Sequence, residues 1–558
     1  MPPTLPPSRL ALLTAALAGV AVSAPAQTAA PPDAGQTLRE LQQRPQPPRP
    51  GQAPSLQVPP DADTGADPGQ RFAVKAVQIE GNVRIPTQEL QPLATGLVGR
   101  DVTLGELREA AKRITARYRE RGFVVARAFV PAQEVRDGVV RITVLEGRLT
   151  SSTVQNGSIV KTERLQAMVA AQRLNGRTIH SKETDRTLLL LADLPAVGKV
   201  SGLLKPGKDV GSSELFITAE PGKTREGSVS VDNYGNRYTG QARLNGQLDL
   251  NSPLRLGDRL SLRATVTEEA LLYGRAAFDL PANNHGLRVG AAVSSSRYEL
   301  GKEFEGLDAT GTAHTAGLYA TYPVQRGLNS NVWLTGALDY RKLKDEVDST
   351  DSRTRKSTRS ATLEVYGDLS DALAGGGYST WRVTGVLGDL GIDSGEAQVA
   401  DQAGPRTEGG YRKLQLALTR LQAITPRTTA FVALSGQAAS KNLDSSEKFV
   451  IGGIYGIRAY PQGEGVGDEG WMANLEVRQD FTQGLQGSVF YDHGHVKFNH
   501  RSYAAGSNEQ TLKGYGLGLG MRYQAFHVKA TVAWRKGQAA LTAPDRRPRG
   551  WITAGWSF

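Results

Sequence analysis

The chain has no cysteine among its 558 residues, so disulfides cannot supply its stability and any metal site would have to do without thiolates. Methionine is scarce (4 residues) and the hydrophobic share is a modest 39%. Long apolar runs are also missing after the N-terminus. The most apolar stretch, residues 188–197, is interrupted by Asp193 and Pro195. A membrane-spanning helix needs about 20 consecutive apolar residues, so a helical membrane protein is excluded. The formal charge is +11, but the 66 Lys and Arg are spread along the whole length without a basic block or an aromatic-basic motif. That distribution excludes a nucleic-acid binder and fits solvated loops beside anionic lipids. Gly222, Lys223 and Thr224 imitate the end of a phosphate-binding loop, yet Ile217 stands where its first glycine belongs. His493, His495 and His500 lie close in sequence without a carboxylate-histidine arrangement, so they read as loop histidines and not as metal ligands. With no catalytic constellation of Ser, His and Asp either, the expectation is a protein that is not an enzyme and holds no cofactor and no metal.

What is present begins with an export signal. Arg9 supplies a positive start, residues 10–22 an apolar core, and Ala24, Pro25 and Ala26 a small-x-small cleavage site, which predicts a signal peptide over residues 1–26. Cysteine avoidance suits a chain that then crosses an oxidising compartment unfolded. Residues 27–44 hold a short helix candidate with Leu38 and Leu41 on one face and Pro45 stopping it. Such a helix is too short to be stable alone and must dock on something. Residues 45–70 carry eight prolines and read as a semi-rigid tether with a reach on the order of 80 Å, at ~3.1 Å per residue.

Residues 71–147 predict a small β-α-α-β-β module: a strand through Phe72, Val74, Val77 and Ile79, helices over 86–97 and 104–121, and strands over 124–130 and 139–145. Residues 148–222 repeat the order, with helices near 161–173 and 181–194 and strands near 199–205 and 213–220. From residue 223 to Phe558 the period becomes strict alternation. Leu260, Leu262, Ala264 and Val266 alternate with Arg259, Ser261, Arg263 and Thr265, and similar stretches recur to the end. Small apolar residues on one face and Arg, Asp and Gln on the other predict a transmembrane β-barrel with lipid outside and a wet lumen. The 336 residues from 223 to 558 allow 21 per strand and connection for 16 antiparallel strands of ~10 residues each. The last strand places Ile552, Ala554, Trp556 and Phe558 on one face, the aromatic-ended form that outer-membrane barrels use for assembly.

Specific motifs sharpen the reading. Tyr118 to Phe123, Ala126 to Pro131, Gly138 to Ile142, and Leu145, Glu146 and Gly147 together resemble the first polypeptide-transport-associated (POTRA) domain of two-partner secretion transporters. Val231 to Gly240 looks like the first barrel strand of that family. Gly452, Gly453, Gly456, Arg458 and Tyr460 are similar to its loop-six motif, near 448–470, with Ile457 for the usual Val and Ala459 for the usual Gly. Ala459 would restrict the backbone if that position required a positive φ. Phe490, Asp492 and Gly494 match the superfamily's barrel-wall motif, and alternation points Asp492 into the lumen. The resemblance implies POTRA domains over 71–147 and 148–222, a plug helix over 27–44, and a barrel over 223–558. It also implies that loop six folds into the barrel and that Arg458 pairs with Asp492. As function it implies export of one large exoprotein with an N-terminal secretion domain, an adhesin, haemolysin or contact-dependent toxin, across the outer membrane of a Gram-negative bacterium without ATP. The periplasmic domains would bind the unfolded substrate. Membrane lipids and the barrel-assembly machinery would be the other partners. An insertase of the barrel-assembly type is the alternative; it shares these motifs but carries more POTRA modules and no tethered plug.

Overall fold

The computed structural model describes residues 31–42, 54–58 and 69–558; the expected signal peptide lies outside them. Helix α1 (Ala34–Gln42) sits inside a closed barrel, where Ala34, Leu38 and Leu41 pack against inward-facing Tyr273, Tyr298, Ala313 and Leu343. This is the docking surface that a nine-residue helix needs.

The first module departs from its predicted outline where proline and local packing intervene. The expected single opening strand is two, Arg71–Val74 and Ala76–Glu80, which join different sheets. The first pairs with an unforeseen strand, Arg100–Thr103, and the second runs parallel to Val139–Leu145. The helix expected over 86–97 is only α2 (Thr87–Leu90) followed by two 3-10 turns, because Pro92 cannot donate an intrahelical hydrogen bond. The strand expected over 124–130 shortens to Arg127–Phe129. Helix α3 (Leu104–Glu120) begins with a capping box, in which Thr103 accepts from the Glu106 amide and Glu106 accepts from the Thr103 amide. Its buried face, Leu107, Ala110, Ala111, Ile114 and Tyr118, has the spacing of a helix laid on a sheet. The Tyr118 hydroxyl donates to Glu146 at 2.9 Å, and burial followed by that carboxylate pushes its pKa well up.

The second module contains α4 (Thr162–Ala171), α5 (Ser181–Ala192), the expected strands Val197–Pro206 and Ser212–Pro221, and an additional one, Arg148–Asn156. Its sheet has a fourth member from the tether: Ser55–Gln57 runs parallel to Val197–Pro206. The proline-rich composition hid this strand. It forms because Gly202 leaves space for Leu56, whose methyl would lie 3.1 Å from a Cβ there. The module is fastened to the barrel rim. Arg164 donates to Asn284 and to the Asn283 carbonyl, at 2.8 and 2.7 Å, and Arg326 forms a bidentate pair with Asp193.

The barrel has 16 antiparallel strands in sequence order, closed by pairing of the first (Arg225–Asp232) with the last (Arg549–Ser557). Alternation is as expected: Leu338, Leu363 and Leu387 are about 60% exposed on the outside, and Asp339, Thr362 and Val386 line the inside. Strands six to ten are 16 to 20 residues long, well beyond the ~10 that cross a bilayer, so this part of the wall projects past the membrane. The segment expected as the first barrel strand splits. Only Val231 and Asp232 are strand, while residues 233–240 turn inward and reach α1 through Asn236.

Candidate functional site

Between strands eleven (Thr428–Ala439) and twelve (Glu469–Thr482), loop six folds back into the lumen. Its tip is apolar at Ile451, Ile457, Ala459 and Tyr460, which pack on Phe490, Leu512 and Ala533 of the inner wall. Burial of this tip offsets the entropy of fixing a long loop. Gly453 has φ 103°, a conformation that glycine adopts without strain, whereas position 459 has no positive φ and tolerates alanine. Ala459 instead needs a glycine opposite, since a Cβ at Gly514 would lie 2.5 Å from its own.

Arg458 is at the centre. Its Nε and Nη2 donate to Asp492 at 2.9 and 2.8 Å, its backbone N–H donates to the same carboxylate at 3.1 Å, and its guanidinium lies 3.4 Å from the Phe490 ring centroid. A second carboxylate completes the setting: Nη1 donates to Glu476 at 2.5 Å. The sequence reading missed Glu476, although its place between outward Leu475 and Val477 marks it as inward. Asn474 bridges, donating to Asp492 at 2.9 Å and to the Gly456 carbonyl at 2.8 Å. Trp551 was missed as well. It lies on the inward face of the closing strand and donates to the Arg458 carbonyl at 2.7 Å, tying loop six to the seam of the barrel. Gly494 is on the same wall face as Asp492, beneath Ile457. Gly452 and Gly456 allow the close turns of the tip, and the Tyr460 hydroxyl donates to the Gln538 carbonyl at 2.9 Å. Further along the loop, Glu464 accepts from the amides of Leu541 and Thr542 and from Gln510, joining loop six to the connection between the last two barrel strands, residues 536–548, and to the wall.

Helix α1 rests on this loop. Asp33 accepts from Ser445 at 2.6 Å, Asp345 of the wall accepts from the Ala34 amide at 2.8 Å, and Arg39 lies against the Ser446 carbonyl. Next to it, buried Glu447 pairs with Arg341 and Lys413 from two barrel strands, at 2.5 and 2.6 Å. Helix, loop and wall thus share one hydrogen-bonded network. The other sequence-selected residues lie elsewhere. Trp556 and Phe558 face outward at the seam with ring centroids 4.8 Å apart. The histidines are held separately, His493 against Trp471 and His500 against Glu469.

Comparison with known proteins agrees with this architecture. The family described as haemolysin secretion/activation protein ShlB/FhaC/HecB matches residues 211–521, and the ShlB-type POTRA domain matches residues 72–147. The heme/hemopexin transporter protein HuxB of Haemophilus influenzae (strain 86-028NP) is 28% identical, over 90% of this chain and 91% of its own. The outer membrane transporter CdiB of Dickeya dadantii is 24% identical, over 88% and 87%. Among solved structures, CdiB from Escherichia coli superposes with a TM-score of 0.71 at 20% identity, covering 94% of this chain and 96% of that one.

Proposed function

The chain belongs to the ShlB/FhaC/HecB family of haemolysin secretion/activation proteins, and from that membership we propose how its parts divide the work of export. It is a two-partner secretion transporter of the outer membrane, with POTRA structure in the periplasm, that translocates a partner exoprotein to the cell surface. It is not an enzyme. The cargo is one large exoprotein with an N-terminal secretion domain, of the adhesin, haemolysin or contact-dependent toxin class. The chain itself reaches the membrane through the barrel-assembly machinery. The two modules over 71–222 bind the unfolded cargo and set substrate choice, the barrel conducts it, and folding outside keeps it from returning. Loop six, locked by Arg458 on Asp492, is the element that holds the lumen in its resting arrangement, and α1 is a plug that must move.

The observation that carries this reading is the joint packing of α1 and loop six across a lumen whose mouth is bolted to the second module. A wall that lets a chain slide binds it weakly at many places, so recognition belongs to the modules. Exchanging residues 71–222 for those of a related transporter in the full-length chain should carry substrate preference with it, read as which exoprotein appears in the medium. Preference that stays with the barrel donor would move recognition into residues 223–558.

A further inference from the structure

One side of the lumen is built differently from the rest. On barrel strand seven (Ser330–Val347) Trp333 faces inward, directly opposite Tyr366 of strand eight (Ser352–Asp371). The two rings stack at 5.3 Å with an interplanar angle of 14°. Each ring carries an arginine: Arg326 lies 5.6 Å from the Trp333 centroid and Arg382 lies 5.1 Å from that of Tyr366. Further round the same wall, Arg478 lies 4.4 Å from the Phe431 centroid. All three arginines are also paired with carboxylates, Arg326 with Asp193, Arg382 with Glu364 and Arg478 with Glu476. Their charge is thereby locally balanced while their planar faces remain on the rings.

Rings that anchor a barrel in lipid stand on its outer face. Here the outer face of these strands is taken by Leu334, Leu338, Tyr340 and Leu363, whereas Trp333 and Tyr366 point the other way and are placed for something inside. Across the lumen, strand three (Arg259–Thr267) turns Arg259, Ser261, Arg263 and Thr265 inward and carries no ring itself, and the inward Tyr273 beside it on strand four is taken up by packing with Leu38 and Leu41 of α1. The aromatic wall borders a cavity of about 1070 Å³ whose lining runs from Leu189 of the second module to Arg39 of the plug helix and the underside of loop six. The cavity therefore connects the periplasmic module to the plug along this wall.

We propose that this wall is the entry track for the unfolded cargo: an extended polypeptide passes from the second module to the plug with its apolar side chains sliding over Trp333 and Tyr366. The proposal rests on the export reading above and adds the side of the lumen that is used. Flat rings capped by neutralised arginines offer contact to aliphatic and aromatic side chains of any sequence, and no deep pocket arrests them. The bidentate Arg326 and Asp193 pair holds the module's exit against the start of the track.

The test places a photocrosslinking amino acid at Ala417, whose register position continues the row of Tyr366 and Arg382, or at Ser261 on the opposite wall, in the full-length chain in lipid nanodiscs. Two synthetic 40-residue unfolded peptides serve as probes, one rich in Thr, Val and Phe, the other of Gly and Ser only. The apolar peptide should give adducts at 417 and few at 261. Replacing both rings, Trp333→Ala with Tyr366→Ala, should lower the adducts at 417 about tenfold, the effect expected for two lost aromatic contacts. Trp333→Phe with Tyr366→Phe should retain them, which separates loss of rings from loss of folding. Equal adducts at the two positions, or indifference to ring removal, would overturn the entry track and leave the export reading standing. No adduct at either position with either peptide, in the full chain and in one lacking residues 36–44, would contradict an extended chain in this lumen altogether.

Discussion

Arg458 shows most clearly what a single side chain does here. It is 7% exposed and donates hydrogen bonds to two carboxylates, so Arg458→Ala leaves buried Asp492 without its cation, with Asn474 still donating to it, while Glu476 keeps Arg478. Breaking a buried pair in this way costs about 3–5 kcal/mol, enough to release the loop tip without unfolding a 16-stranded barrel. The expected outcome is a strong loss of secretion at normal barrel levels, with loop six newly open to protease. Arg458→Lys should not restore secretion, because an ammonium cannot reproduce the planar fork. Asp492→Ala should be milder, since Glu476 still holds the guanidinium, and the double variant should cost little more than Arg458→Ala alone. Additive losses in that cycle would remove the shared lock. Trp551→Phe keeps the ring and deletes the bond to the Arg458 carbonyl; a decrease of about 1 kcal/mol in loop-six protection, measured by hydrogen exchange, is expected.

The elements differ in how far their sequences declared them. Helix α3 was legible because its capping box and apolar face agree, and the barrel strands because alternation is purely local. The strand Ser55–Gln57 was not, since its stability comes from a partner some 145 residues away and its own composition resembles a linker. Arg458 and Asp492 could be found through their motifs, whereas Glu476 sits on a strand that bears no motif and Trp551 on the inward face of a closing strand whose signature is on its outward face. Two variants test elements as units. Deleting residues 36–44 removes the helix that fills the lumen beside Tyr298 and Leu343, and ion conductance through planar bilayers should rise. Unchanged conductance would mean that α1 does not block the path. Replacing Trp556 and Phe558 by Ala should lower outer-membrane insertion, seen as less heat-modifiable barrel, and leave substrate choice unchanged. Normal barrel levels would show that this strand end carries no assembly signal.

Taken whole, the molecule is a barrel whose lumen is occupied. A periplasmic tandem is bolted to the barrel rim by Arg164 and Arg326, the lumen is filled by α1 and loop six, and these two are joined to each other through Ser445 and to the wall through Glu447. Such a network moves as a unit or not at all, so the proposed export requires that cargo arriving at the modules bias it. The most direct measurement uses purified full-length chain in proteoliposomes, with its unfolded exoprotein supplied on the periplasmic side and neither ATP nor other proteins present. Protease-protected exoprotein should accumulate on the opposite side, and Arg458→Ala should reduce it. If no exoprotein crosses while an unfolded outer-membrane barrel protein added in its place becomes inserted and folded, the chain would be an insertase and export would not be its activity.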